Sequence, residues 1–360
     1  MREEKKWDYV LEPEDYGPLW RWVRDTDITD IDYNGTSLWI TDSRNIRRQE
    51  SAAGISAAFV ERFCALIANQ VSCQFNKVNN LLEAETDCLR ISIVHESAAI
   101  SGRSICIRKS LPICRITCES AVQTGYCSER ILNFLIHCVR AQMNLVFIGE
   151  PGCGKTEAAK FFSTFIPAQD RVITIEDTPE WHYREMNPGK DCVEIRVGPH
   201  MTYTKAIRTS LRQNPRWLML SEARSTEVKS LLECLSTGVH GITTLHADDV
   251  RKVPDRILNM MPDRTDADRL ENDVYAFLDT AVLIRRVWDP VSGTVRRAID
   301  QIGILSRDPA GNHMVQILEG GQENGTALPE DFLERMRRNG ITDPYRTDGP
   351  DRAENRLLKK

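Results

Sequence analysis

Apolar positions along the chain follow two rhythms, and the change between them falls near residue 128. In the first hundred residues the apolar positions alternate with polar ones. Residues 27–32 and 38–41 flank Asn34-Gly35 and predict a hairpin. Residues 56–71 place Phe59, Phe63, Ile67 and Val71 at helical spacing. Residues 90–94 and 104–108 predict two short strands. Ile91 and Ile93 share one face of the first, with Arg90 on the other; Ile105 and Ile107 share one face of the second, with Arg108 on the other. Trp7, Trp20 and Trp22 are the main apolar anchors of the polar stretch before them. Together these elements predict a small α+β domain whose polar sheet face carries arginines.

From a predicted helix over 128–141 onward, unbroken apolar strands take over, at 144–148, 171–175, 217–220 and 241–245. Helical segments at 155–165, 203–212 and 226–236 separate them. Strands apolar on both faces, alternating with helices, predict a parallel sheet covered on both sides. Residues 280–287 and 295–304 predict a closing hairpin joined near 289–293, and 320–360 reads as a helix plus a loose polar tail. The expected organisation is an N-terminal α+β domain over 1–112, a linker over 113–127, a parallel-sheet domain over 128–318 and a polar tail over 319–360.

Composition narrows the function classes. The 360 residues carry a formal net charge of −5. That balance argues against a dedicated nucleic-acid binder, so no stable nucleic-acid binding is expected. No apolar run approaches the ~18 residues of a membrane span, and the charged N-terminus has no apolar stretch behind it to make a signal peptide. The 11 cysteines contain no Cys-x-x-Cys pair and read as reduced thiols of a cytoplasmic protein.

The chemistry begins at Gly149-Glu150-Pro151-Gly152-Cys153-Gly154-Lys155-Thr156, which fits G-x-x-x-x-G-K-[ST] between a predicted strand and a predicted helix. Glycines at these spacings let backbone N–H groups wrap a phosphate, and the helix N-terminus adds its positive end. Lys155 is expected to reach the β- and γ-phosphates of ATP. The Thr156 hydroxyl is expected to hold Mg²⁺. Glu157, next on the helix, completes the candidate nucleotide-binding set. Hydrolysis also needs carboxylates that orient water and help hold the metal. Glu222, after the apolar strand 217–220, has the Walker B position and is expected to contact Mg²⁺ directly or through water. Glu176-Asp177 follows strand 172–175, and Glu176 is the second catalytic candidate. His246 follows strand 241–245, where a histidine can sense the γ-phosphate; His240, six residues earlier, is a weaker candidate.

These motifs occur in a particular order. The phosphate loop is followed by Ile-Glu-Asp-Thr-Pro-Glu-Trp at 175–181, Leu-Arg-Gln-Asn-Pro at 211–215, Ser-Glu-Ala-Arg at 221–224 and Thr-Leu-His-Ala at 244–247. In that order they resemble the type II/type IV secretion traffic ATPases, over about residues 27–304, and within them the branch serving type IV secretion and tight-adherence pili. The resemblance implies a RecA-like P-loop NTPase domain preceded by the smaller α+β domain, and a homo-hexameric ring that hydrolyses ATP. It implies partners in an inner-membrane platform of a secretion, pilus or conjugation machine, with the chain held at the inner face of the membrane only through them. It also implies that Arg90 and Arg108, and more weakly Arg103, approach the phosphates.

The sequence departs from the family pattern in three places. Ser221 stands where Gly usually precedes the Walker B Glu. Arg216 replaces the Asp of a Pro-Asp pair. Thr237-Gly238-Val239 replaces Thr-Gly-His, with His240 one place later. Two other readings therefore stand beside the motor: a nucleotide-binding regulatory or assembly module with little turnover, and a nucleic-acid-dependent P-loop motor. Cys153 inside the loop adds the expectation that its oxidation would block nucleotide binding.

Overall fold

The computed structural model describes residues 11–52, 54–86, 88–261, 266–289 and 293–346. Trp7, part of the join at 289–293 and the tail beyond 346 lie outside them. Two compact units result, one drawn from Met1–Pro112 with Thr178–Glu180, the other from Ile113–Asp177 with Trp181–Lys360.

The first unit is a six-stranded antiparallel sheet built from β1 (Ile28–Tyr33), β2 (Leu38–Asp42), β3 (Arg47–Glu50), β4 (Leu81–Glu85), β5 (Leu89–Val94) and β6 (Ser104–Lys109), in the order β3-β2-β1-β6-β5-β4. Period-two alternation sends Ile31, Ile40, Ile91, Ile93, Ile105 and Ile107 to one face. There they pack with Phe59, Phe63 and Ile67 of the helix Ala57–Gln70, which is N-capped by Ser56. The other face carries Asp30, Asp32, Arg90 and Arg108.

The second unit holds a nine-stranded sheet. Its strands are β7 (Leu145–Ile148), β8 (Val172–Glu176), β9 (Cys192–Arg196), β10 (Trp217–Leu220), β11 (His240–Leu245), β12 (Thr280–Asp289), β13 (Thr294–Asp308), β14 (Gly311–Glu319) and β15 (Gln322–Glu323). The order is β15-β14-β13-β12-β7-β11-β10-β8-β9. The six strands from β12 to β9 are parallel, and β13 to β15 are added antiparallel. This is the RecA-like arrangement. Every residue of β7 and β10 is buried, as a sheet covered on both faces requires. Alternation splits the strands between two cores. Leu145, Phe147, Val172, Trp217 and Met219 join one; Val146, Ile148, Ile173, Ile175, Leu218 and Leu220 join the other. Each such side chain, fully buried, contributes about 1.5–3 kcal/mol of transfer free energy.

Two stretches differ from expectation. Residues 113–127, expected as a linker, belong to the second unit and contain the helix Cys118–Gln123. A reciprocal Thr117–Ser120 capping box starts this helix, and Ala121 and Tyr126 anchor it in the core. The polar stretch after 319, expected as a helix plus a loose tail, carries the helix Glu330–Arg338, and the departure is that this helix is docked. Its Phe332 and Met336, four apart on one face, are buried with Ile341 in the same core. Polar composition hid this docking because one narrow apolar stripe was enough to achieve it.

Candidate functional site

Parallel pairing decides which loops meet. Register sets Ile148 beside Leu245 and Leu220 beside both Thr243 and Ile175. The residues that leave the sheet next therefore emerge along one edge: Gly149 from β7, His246 from β11, Ser221-Glu222 from β10 and Asp177 from β8. This is the carboxyl edge, where α/β sheets bind ligands.

The loop between β7 and the helix Lys155–Ser163 turns through three glycines with positive φ: Gly149 at 146°, Gly152 at 73° and Gly154 at 96°. A Cβ on Gly149 would overlap the Ile284 carbonyl oxygen and lie 2.6 Å from Cys153 Sγ. A side chain there would open the loop. Lys155 is buried, its Nζ donating to the carbonyls of Gly149 and Glu150, both at 3.1 Å. Thr156 and Glu157 lie in the first turn of the helix.

Lys155 Nζ also meets His246 Nδ1 at 3.3 Å, and His246 Nε2 lies 2.9 Å from Glu222 Oε1. An ammonium can only donate and a carboxylate can only accept. The imidazole satisfies both by leaving Nδ1 bare and carrying its proton on Nε2. His246 is accordingly held neutral. Burial lowers its pKa first and the Lys155 charge second, with Glu222 opposing both. The second oxygen of Glu222 accepts from Arg224 Nη2 at 2.8 Å, and Arg224 Nη1 reaches Asp177 Oδ2 at 3.1 Å. Lys155, His246, Glu222, Arg224 and Asp177 thus form one connected chain drawn from the segments that follow four strands. The Asp177 N–H donates to Tyr203 Oη at 3.2 Å, which fixes the far end.

Other sequence candidates are placed elsewhere. Glu176 is buried at the end of β8, and its Oε1 accepts the Trp181 N–H at 3.0 Å. That contact shapes the 177–181 loop. His240 opens β11, at the opposite edge of the sheet from His246, with its ring 5.5 Å from that of Trp217. Arg90 and Arg108 stand directly opposite each other across β5 and β6, on the charged face of the first unit. Arg90 Nε is 3.5 Å from Glu85, and Arg108 donates to Asp30 at 2.9 Å. Arg103 is committed to Glu96 through two bonds of 2.6 and 2.8 Å, which hold the Glu96 carboxyl down to about 2. Cys153 is fully buried, and burial raises its thiol. Both effects slow the oxidation expected of it.

The departures from the family pattern fall mostly away from this edge. Arg216 precedes β10 and bonds Gln142 at 2.7 Å, and 237–240 leads into β11, so both sit a strand length, about 13 Å, from the carboxyl edge. Ser221 lies at that edge but is absorbed. Its carbonyl accepts from Thr244 Oγ1 at 2.7 Å, and its hydroxyl lies 3.4 Å from Tyr203 Oη.

Fold and site together define a P-loop domain of the RecA-like class. The type II/IV secretion system protein family matches residues 78–288. The chain belongs to that family. An uncharacterized protein of Bacillus anthracis is 29% identical over 79% of this chain and 65% of its own length. The type IV secretion system protein VirB11 of Bartonella quintana is 29% identical over 47% of this chain and 50% of its own. The chain thus spans about half to two thirds of the length of these relatives. The fold of the Legionella pneumophila ATPase DotB superposes with a TM-score of 0.59 at 16% identity, covering 86% of this chain and 83% of that one. Among the described residues no helix is long and apolar enough to cross a membrane.

Proposed function

We propose that this chain is the ATP-hydrolysing subunit of a homo-hexameric motor serving a bacterial type IV secretion, Tad-type pilus or conjugation machine. One observation carries the reading: the chain of contacts from Lys155 through His246 to Glu222, set beside a glycine cradle at the carboxyl edge of a parallel sheet.

In this reading the N–H groups of 149–156 and the start of the helix hold the phosphate tail of ATP. Lys155 exchanges its carbonyl partners for phosphate oxygens. Thr156 and Glu222 are the residues suited to Mg²⁺, the one by a hydroxyl at the helix start and the other by a carboxylate at the Walker B position. The metal supplies charge neutralisation on the β- and γ-phosphates. Glu222 keeps acceptor capacity beyond its two bonds, and with it orients a water whose oxygen attacks the γ-phosphorus as the bond to the β-phosphate oxygen breaks. Neutral His246 aims Glu222 through its 2.9 Å contact and reports to it whether Lys155 is engaged. Arg90 and Arg108 of the first unit are proposed to supply positive charge to the phosphates, which can be worth several orders of magnitude in rate. The chain acts in the cytoplasm, at the inner face of the membrane, through an inner-membrane platform.

Phosphate release from Mg-ATP tests the reading. Glu222→Gln should bind ATP and turn over about 10²-fold or more slowly. Equal, near-background rates for wild type and variant would instead favour a nucleotide-binding module.

A further inference from the structure

The β12–β13 hairpin runs past the sheet. The last residues of β12 paired with β7 are Leu283 and Ile148. Residues 284–289 continue beside the phosphate loop, where the Ile284 carbonyl closes over Gly149. Both arms are rich in arginine at that level, with Arg285 and Arg286 on one and Arg296 and Arg297 on the other.

Register sets Arg286 directly opposite Arg297. Like charges facing each other across a strand pair destabilise a hairpin unless an anion serves both. Arg285 does not share this problem, because it is tied to Asp300 at 2.9 Å and to the Asp248 carbonyl at 2.8 Å. Arg286 and Arg297 both turn to the phosphate loop. Arg286 Nη2 lies 3.5 Å from Glu150 Oε2, a loose contact to a largely exposed carboxylate. Arg297 Nη2 donates to the Gly152 carbonyl at 3.4 Å, and its stem passes 3.1 Å from where a Cβ on Gly154 would stand. β12 and β11 flank β7 on opposite sides. The arginine pair therefore stands across the loop from His246 and Glu222.

We propose that Arg286 and Arg297 form an anion clamp that binds the phosphate tail of the nucleotide from the hairpin side. Arg286 trades the Glu150 carboxylate for a phosphate oxygen, and Arg297 on the facing arm, bonded to the Gly152 carbonyl, brings its charge to the same phosphates. Because the γ-phosphate belongs beside Lys155 and Glu222, the clamp meets the sugar-proximal phosphates and acts on ADP as on ATP. Glu150 is then a built-in competitor for the nucleotide. The inference rests on the phosphate-loop reading given above.

The test is a titration of the full chain with Mg-ADP and Mg-ATP, for wild type, Arg286→Ala, Arg286→Lys, Arg297→Met, Glu150→Gln and the Arg286→Ala/Glu150→Gln double variant. Thermal unfolding of each variant checks that it is folded. Arg286→Ala should weaken both nucleotides about tenfold, the scale of one charge-assisted bond, and Arg286→Lys should recover part of that. Arg297→Met keeps the stem and removes the charge, and should weaken both nucleotides while leaving the thermal midpoint close to wild type. Glu150→Gln should tighten binding a few-fold, and that gain should vanish in the double variant. Unchanged affinity in Arg286→Ala, or a Glu150→Gln gain that persists without Arg286, would overturn the clamp. No binding by wild type would instead overturn the phosphate-loop reading on which the clamp depends.

Discussion

His246 shows how a single side chain acquires direction from its neighbours. Between a lysine and a glutamate it has one neutral tautomer that suits both, and a second proton would place an N–H against the Lys155 ammonium. His240, at the far edge of the sheet, is held neutral for a different reason: burial first, then the charges of Arg216 and Arg335, press its pKa down to about 4. Both histidines take up a proton more readily in the unfolded chain, where the reference value is about 6.5. The sign follows. Their contribution to stability is full above pH 6.5 and is lost as pH falls, for His240 across the window from 6.5 to about 4. Urea unfolding at pH 7.5 and at pH 5 should show lower stability at the acid value, with a smaller drop in His240→Phe, where an uncharged ring fills the site beside Trp217. A drop of the same size in the variant would contradict this. The sequence showed both histidines after or before apolar strands. It did not show which edge each would occupy, because that depends on strand direction.

At the scale of elements, legibility followed burial on two faces. β7, β8, β10 and β11 are short apolar runs, and each was readable to within a residue. β3 is Arg-Arg-Gln-Glu, held as an edge strand by pairing with β2, and no apolar pattern announces it. β9 is likewise an edge strand whose residues alternate with Glu194 and Arg196. The helix Ala267–Phe277 buries only Leu270 and Val274, too little to stand out among its charges. The helix Glu330–Arg338 was expected but its docking was not. Phe332 stacks on Phe134 at 6.0 Å, and Arg335 donates to Asp279 at 2.7 Å, just ahead of β12. Asp279 in turn accepts the Asn144 N–H at 2.6 Å, just ahead of β7. This helix therefore braces the amino edge of the sheet, opposite the phosphate loop. Met336→Ala should cost about 2–5 kcal/mol in urea unfolding and leave nucleotide affinity near wild type. Loss of affinity without loss of stability would place the helix in the site instead.

On the scale of the whole molecule, the order of motifs was enough to identify the family, while the assembly of the site needed the sheet order. Gly149, Glu222 and His246 are 73 and 24 residues apart in sequence and become neighbours because β7, β11 and β10 lie side by side in parallel. The pairing of Arg286 with Arg297 depends on hairpin register and had no sequence signal beyond two Arg-Arg pairs. For the proposed ring, mass measurement in solution should give six copies with Mg-ATP present. A monomer at micromolar concentration under those conditions would remove the hexamer from the proposal.

The most direct measurement is calorimetric titration of the purified chain with Mg-ATP. Saturable binding by wild type, abolished in Lys155→Ala while the variant stays folded, is the predicted result. Wild type with no saturable binding, or Lys155→Ala binding as tightly as wild type, would contradict the placement of a nucleotide's phosphates between Gly149 and Thr156.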